Sequence, residues 1–198
     1  MPVPEFYLSA NTKLFVMRRF DRDAQLSPIG FEDMAALMAL PAERKYSKSY
    51  SAIAKAIRLF CPPEHLQSSL DQLFAIVALS CIVGNGDAHL KNFGLLYSDP
   101  TQRDARLAPA YDIVNTTAYI PEDVLALDLA GNKSLFASRQ GLLDFAKVCE
   151  VERPEEVIRG QLEALENVLG RYPELCEQAP HVVAAISKSA EPFLRTFG

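Results

Sequence analysis

Apolar residues along this chain fall first into short extended runs and then into helical spacing. Glu5-Phe6-Tyr7-Leu8-Ser9 and Lys13-Leu14-Phe15-Val16-Met17 predict two strands, with Ala10-Asn11-Thr12 as a hairpin turn between them. Arg18-Arg19-Phe20-Asp21-Arg22 ends the second strand and leads out. Ser27-Pro28-Ile29-Gly30-Phe31-Glu32-Asp33 predicts the opening of a helix through Met34, Ala35, Leu37 and Met38 to about Leu40, stopped by Pro41. Glu43-Arg44-Lys45-Tyr46-Ser47-Lys48-Ser49-Tyr50 is polar and hydroxyl-rich and reads as a surface loop. Ser51 is placed to cap a helix through Leu59, broken by Cys61-Pro62-Pro63. Ser68 or Ser69 then opens a long helix to Val83. On it Leu70, Leu73, Phe74, Ile76, Val77, Leu79, Ile82 and Val83 cover nearly the whole circumference, and a helix apolar all round is buried.

Beyond Val83 the pattern changes abruptly to a polar turn, then a strand at Phe93-Gly94-Leu95-Leu96-Tyr97. A polar loop from Ser98 to Arg106 returns through Arg106-Leu107-Ala108 toward Tyr111-Asp112. Residues 113 to 136 read as short extended pieces, with Leu125-Ala126-Leu127-Asp128-Leu129 and a turn at Gly131-Asn132-Lys133. From Arg139 the chain is helical, with breaks near Arg153-Pro154, Tyr172-Pro173 and Ala179-Pro180. The expectation is a mainly α fold: two or three N-terminal strands, one central hairpin, and about six or seven helices.

Composition narrows the setting. With 198 residues, 49% of them hydrophobic, one sizeable core and one domain are the default. A net charge of −5 argues against nucleic-acid binding through the chain's own field. Cys61, Cys81, Cys149 and Cys176 form no CxxC pairs, which points to a reducing, cytoplasmic setting without a zinc site. No signal peptide is recognisable. The most apolar run, Phe74 to Val83, is shorter than the roughly 20 residues that span a bilayer, so no membrane role is expected.

The chemistry concentrates in Val83-Gly84-Asn85-Gly86-Asp87-Ala88-His89-Leu90-Lys91-Asn92-Phe93. Asp87 and Asn92 stand as Asp-x-x-x-x-Asn, and Asp112 follows in Pro109-Ala110-Tyr111-Asp112. That is the order of a kinase catalytic loop and its metal-binding aspartate. Phosphoryl transfer needs one carboxylate to orient the acceptor hydroxyl and take its proton, here Asp87. It also needs hard oxygen ligands for Mg²⁺, here Asn92 and Asp112, because that ion binds few protein groups and keeps several waters. Asn85-Gly86-Asp87 read alone is a turn, since all three residue types favour turns. The buried helix before it and the strand pair after it favour the catalytic reading. His89 stands as a structural histidine or as a group near the transferred phosphate. Lys91 stands as an exposed lysine or a phosphate neutraliser. His65 and His181 receive no role.

Gly86-Asp87-Ala88-His89-Leu90-Lys91-Asn92-Phe93 and Leu107-Ala108-Pro109-Ala110-Tyr111-Asp112-Ile113 resemble the signatures of the HipA family of bacterial toxin kinases. Weaker similarities lie at Arg19-Phe20-Asp21-Arg22 and Leu127-Asp128-Leu129-Ala130-Gly131-Asn132-Lys133, so the resemblance runs from about residue 4 to about residue 175. It implies a protein-kinase-like C-terminal lobe, ATP and Mg²⁺, serine/threonine kinase activity and a place in a toxin–antitoxin system. By the same resemblance Arg18 and Phe20 become adenine-site candidates at a hinge, and His89 moves toward the phosphate. The implied acceptor is a Ser or Thr on an aminoacyl-tRNA synthetase.

Kinases also cover the phosphates with a glycine-rich loop and hold them with a strand lysine. No glycine precedes Gly30, and Lys13 is the only lysine before the hinge. The expected division is therefore residues 1–22 as hinge strands from a truncated nucleotide lobe and 23–198 as the large catalytic lobe. A kinase lobe completed by a separately encoded small lobe, or belonging to a longer protein, is the first reading. A non-catalytic remnant that binds an antitoxin is the second. An unrelated helical scaffold, the third, is disfavoured by Asp87, Asn92 and Asp112 occurring together. Phe6, Leu8, Leu14 and Val16 are expected to leave an apolar edge on the first two strands.

Overall fold

The computed structural model describes residues 5–8, 13–135 and 138–198, with side chains described from residue 16 onward. Strands β1 (Glu5–Leu8) and β2 (Lys13–Val16) pair antiparallel, with Glu5 opposite Val16 and Leu8 opposite Lys13. The Ala10-Asn11-Thr12 turn lies outside the described residues, as do the side chains of Phe6, Leu8 and Leu14. Val16 is 43% exposed.

A separate three-stranded sheet has the order β3 (Gly30–Asp33), β4 (Gly94–Tyr97), β5 (Arg106–Leu107), all antiparallel. The β4–β5 pair is the expected central hairpin. β3 corrects the expected helix from Ser27. Gly30 pairs with Tyr97 and Asp33 with Gly94, and both glycines sit under aromatic rings. A Cβ on Gly30 would meet Tyr97 Cε2 at 2.2 Å, and one on Gly94 would meet Phe31 Cε2 at 2.5 Å. The helical segment shrinks to α1 (Met34–Leu37). Asp33 caps it, its Oδ1 accepting from the Ala36 amide at 2.9 Å.

Helix α2 (Tyr50–Phe60) begins two residues earlier than expected and is capped by Ser49, not Ser51; Ser49 Oγ accepts from the Ala52 amide at 3.2 Å. Helix α3 (Pro63–Val83) begins well before Ser68, because Pro63 takes the first helical position, where its missing N–H costs nothing. Ser69 is not its cap: it faces inward, and its Oγ accepts from the Leu107 amide at 3.0 Å. α3 packs against α2, β5 and three later helices, α4 (Ser138–Cys149), α5 (Pro154–Arg171) and α7 (Pro180–Phe197). Leu70, Leu73, Phe74, Val77 and Ile82 are completely enclosed. The Phe74 ring stacks on Phe145 of α4 at 6.5 Å between centroids. With α6 (Pro173–Gln178) the C-terminal helices break at the three prolines the sequence indicated. The fold is mainly helical, and the long central helix delivers its C-terminal end to the polar loop.

Candidate active site

The loop is anchored before it is polar. α3 ends at Gly84, whose φ of 73° is left-handed and suits glycine. The Asn85 amide still reaches the Ser80 carbonyl at 2.8 Å. From the opposite side, the Gly86 amide donates to Thr116 Oγ1 at 2.8 Å, and Asn115 Nδ2 donates to the Val83 carbonyl at 2.6 Å. Asn85 is fully buried, and its Oδ1 accepts from the Asp87 amide at 3.0 Å, which sets the turn that presents Asp87. Tyr50 in α2 donates to the Ala88 carbonyl at 3.1 Å.

Asn92 and Asp112 meet directly. Asn92 Nδ2 donates to Asp112 Oδ2 at 2.5 Å. The short β4–β5 hairpin achieves this by returning Tyr111-Asp112 beside the loop, and Tyr111 Oη donates to the Lys91 carbonyl at 2.7 Å. Asp112 holds a φ of 56°, in the left-handed region that few non-glycine residues occupy. Asn92 is only 6% exposed, and its Oδ1 is buried without a hydrogen-bond partner. An orphaned amide oxygen beside a carboxylate is the hard donor set that Mg²⁺ takes, so these residues fit the ion. Among the described residues no three or more His, Cys, Asp or Glu side chains cluster to make an all-protein cage. A metal held by Asn92 and Asp112 would complete its shell with water and phosphate oxygens.

Asp87 is 44% exposed, and its Oδ1 accepts a hydrogen bond from Tyr46 Oη at 2.6 Å. His89 Nε2 lies 3.9 Å from the same oxygen. His89 itself is 6% exposed with Nδ1 unpartnered. Burial pushes its pKa below the ordinary value against the opposing pull of Asp87 and Asp112, so the ring is neutral at pH 7. Both carboxylates therefore act on one imidazole and lie on one side of the domain. A cleft of about 440 Å³ opens beside Asp87, lined in part by Val114, Ile120, Val124 and Lys133.

Lys91 is placed differently from the expectation of a free phosphate neutraliser. Its Nζ is paired with Asp33 Oδ2 at 2.7 Å, which ties the loop to the cap of α1. Phe20 packs with Phe31 at 5.6 Å and with Tyr111 at 5.3 Å between centroids. It also lines a cleft of about 560 Å³ with Leu96 and Ala110, so the ring joins the strand exit to the segment carrying Asp112. Arg18 is exposed. Tyr46 went unassigned in the sequence because its partner lies 41 residues away. An aromatic ring inside an otherwise polar run was the available signal.

Fold and loop together define a protein-kinase-like lobe. The particular family follows from comparison: the profile of the HipA-like C-terminal domain matches residues 1–171, and the chain belongs to that family. A Haemophilus influenzae protein named "Putative kinase" is 28% identical over 194 residues, covering 92% of this chain and 54% of the relative. "Putative kinase Y4dM" of Sinorhizobium fredii is 32% identical over 138 residues, covering 68% of this chain and 32% of that one. The fold matches a chain of the solved Shewanella oneidensis MR-1 complex of HipA, HipB and operator DNA, with a TM-score of 0.81 and 14% identity. That match covers 98% of this chain and 51% of the other. The chain thus spans about half or less of the length of these proteins.

Proposed function

We propose that this chain is the large catalytic lobe of a HipA-like serine/threonine protein kinase, the toxin component of a toxin–antitoxin pair, acting on MgATP. The observation that carries the reading is the Asn92–Asp112 contact with its orphaned Asn92 oxygen, on the loop that presents Asp87. Asp87 accepts the proton of a Ser or Thr hydroxyl as that oxygen bonds to the γ-phosphorus. The bond from phosphorus to the β–γ bridging oxygen breaks, and its electron pair leaves with ADP. Asn92 and Asp112 would hold Mg²⁺, which when bound would neutralise phosphate charge. Neutral His89 and the aromatic group of Phe20, Phe31 and Tyr111 wall the site; Phe20 and Arg18 remain the adenine-side candidates.

Because the sequence offers no glycine-rich loop, nucleotide positioning falls to a small lobe, supplied by the rest of a longer protein or by a separate chain. Positioning is most of what this reaction asks of a protein. An antitoxin is the proposed protein partner, in keeping with the HipA–HipB pairing in the structural match. A Ser or Thr of a protein, such as an aminoacyl-tRNA synthetase, is the proposed acceptor.

The test is phosphate transfer from ATP to protein by the assembled two-lobe enzyme, with Asp87→Ala and Asp112→Ala beside it. Transfer that disappears in both variants supports the reading, and transfer that survives them overturns it. A readout independent of turnover is Mn²⁺ titration followed by NMR. Selective broadening of the Asn92 side-chain amide is expected, and uniform broadening counts against the site.

A further inference from the structure

Asp87 is not left to itself in the cleft. The segment carrying Tyr46 is stitched to the catalytic loop, since the Leu90 amide donates to the Lys45 carbonyl at 3.2 Å. Its far end is held by the Tyr50 amide, which donates to the Asp128 carbonyl at 3.0 Å. Between these anchors the Tyr46 ring stands edge-on to His89, 5.1 Å between centroids, with Lys45 Nζ 4.9 Å from its own centroid. From there Oη reaches Asp87 Oδ1 at 2.6 Å. Among the described residues Asp87 Oδ2 has no hydrogen-bond donor, so the carboxylate has one oxygen committed and one open.

We infer that Tyr46 is a positioning residue for the phosphoryl transfer of the preceding reading: its O–H fixes the Asp87 carboxylate through Oδ1 and leaves Oδ2 to receive the acceptor proton. A carboxylate on a turn rotates about its last bond, and only part of that rotation aims a lone pair at the incoming hydroxyl. A short, charge-assisted hydrogen bond removes that rotation. Tyr46 stays a donor throughout, because its bond to Asp87, with burial and the nearby Asp123, pushes the phenol up to about 12. The proton balance is unaffected: it moves from the Ser or Thr hydroxyl to Oδ2, and the phenol keeps its own. This inference rests on the kinase reading and adds a residue that the loop motif does not contain.

The experiment is a double-mutant cycle in the assembled two-lobe kinase with MgATP and protein acceptor. It compares wild type, Tyr46→Phe, Asp87→Asn and the double variant. Phe keeps the ring on His89 and under Lys45, and an unchanged melting temperature checks the fold. Tyr46→Phe is expected to lower kcat by on the order of tenfold to a hundredfold, the scale of a slightly misplaced reacting group. Both KM values should stay within about twofold, since the phenol orients the base and is not assigned a contact with either substrate. The double variant should be no slower than Asp87→Asn alone, because Tyr46 works through that carboxylate. Additive losses, an unchanged kcat, or a rise in kcat/KM showing that Tyr46 blocks the acceptor would each overturn the inference. Wild type no faster than Asp87→Asn would overturn it together with the kinase reading. Normal dependence on Asp87 with a fully active Tyr46→Phe would overturn it alone.

Discussion

Helix α3 and the loop that leaves its C-terminal end are both deeply enclosed, yet they treat buried polar groups in opposite ways. Along α3 the buried surface is nearly all apolar, and its buried Ser69 is satisfied by the Leu107 amide, with Ser80 Oγ the one exception on the helix. In the loop, Asn85, His89 and Asn92 each bury a side chain and each leave one polar atom unpartnered. An unpaired buried polar atom costs about 1–3 kcal/mol. A fold tolerates three in eight residues only where a neighbouring element supplies surplus stability, or where a ligand completes the bonds. α3 provides the first, and the Asn92–Asp112 pair is shaped for the second.

The sharpest way to break this contrast is to remove packing from one side and charge from the other. Phe74→Ala should cost about 3–5 kcal/mol, because Phe74 is completely enclosed and its ring stacks on Phe145. Asp87→Asn should leave the denaturation midpoint close to wild type, since that carboxylate is half exposed and holds no core contact. Equal destabilisation in chemical denaturation would erase the distinction between scaffold and site.

Asn92→Ala comes next and probes the orphaned oxygen. It removes an unsatisfied buried atom but also the donor to Asp112 Oδ2, so a stability loss of about 1–3 kcal/mol is expected. Affinity for Mn²⁺ or Mg²⁺ should fall by at least the tenfold to hundredfold that losing even an outer-shell partner typically costs. Calorimetry with the metal ion and a thermal melt on the same sample would separate the two effects. A large stability loss with unchanged metal affinity would make Asn92 a structural residue.

Gly86→Ala is smaller and tests how tightly the loop is pinned. The added Cβ would lie 2.1 Å from Asp123 Oδ2 and 2.7 Å from the Val124 carbonyl oxygen. The carboxylate can swing away, but the backbone carbonyl cannot, so about 1–3 kcal/mol of overpacking strain is expected in denaturant titrations. An unchanged midpoint would mean that the 120–124 segment gives way easily.

What the sequence made legible follows the same division. The meeting of Asn92 and Asp112 was readable because a single short hairpin joins them, so their spacing carries the geometry. The all-round apolarity of α3 was readable because it needs no partner to be recognised. β3 was not, since Gly30-Phe31-Glu32-Asp33 becomes a strand only by pairing with β4, whose aromatic and glycine positions complement its own. Helical spacing at Met34 and Leu37 was real but sustained only four residues. The start of α3 is hard to read because Pro62-Pro63 both ends α2 and begins the next helix. Tyr46 and the Lys91–Asp33 pair stayed hidden for the reason β3 did: each depends on a partner far away in sequence.

Lys91 lies on the boundary between the two regions, and its substitution is the smallest effect expected. By sequence it belongs to the site, but by geometry it is a tie between the loop and the start of α1, with Nζ 2.7 Å from Asp33 Oδ2. Asp33 uses its other oxygen to cap α1. The lysine side chain is 44% exposed, so water screens the pair, and such ion pairs contribute about 0–1 kcal/mol. Lys91→Ala should therefore lower stability by less than about 1 kcal/mol and leave the cap in place, because the Ala36 amide does not depend on the lysine. If the ammonium serves mainly as that tie, KM for ATP in the assembled kinase should rise by no more than about threefold, under 1 kcal/mol of binding. A KM raised by about tenfold or more at unchanged stability would move Lys91 back among the phosphate ligands. It would also require the Asp33 pair to open when nucleotide binds, and Asp33→Asn, which frees the lysine, should then tighten ATP binding.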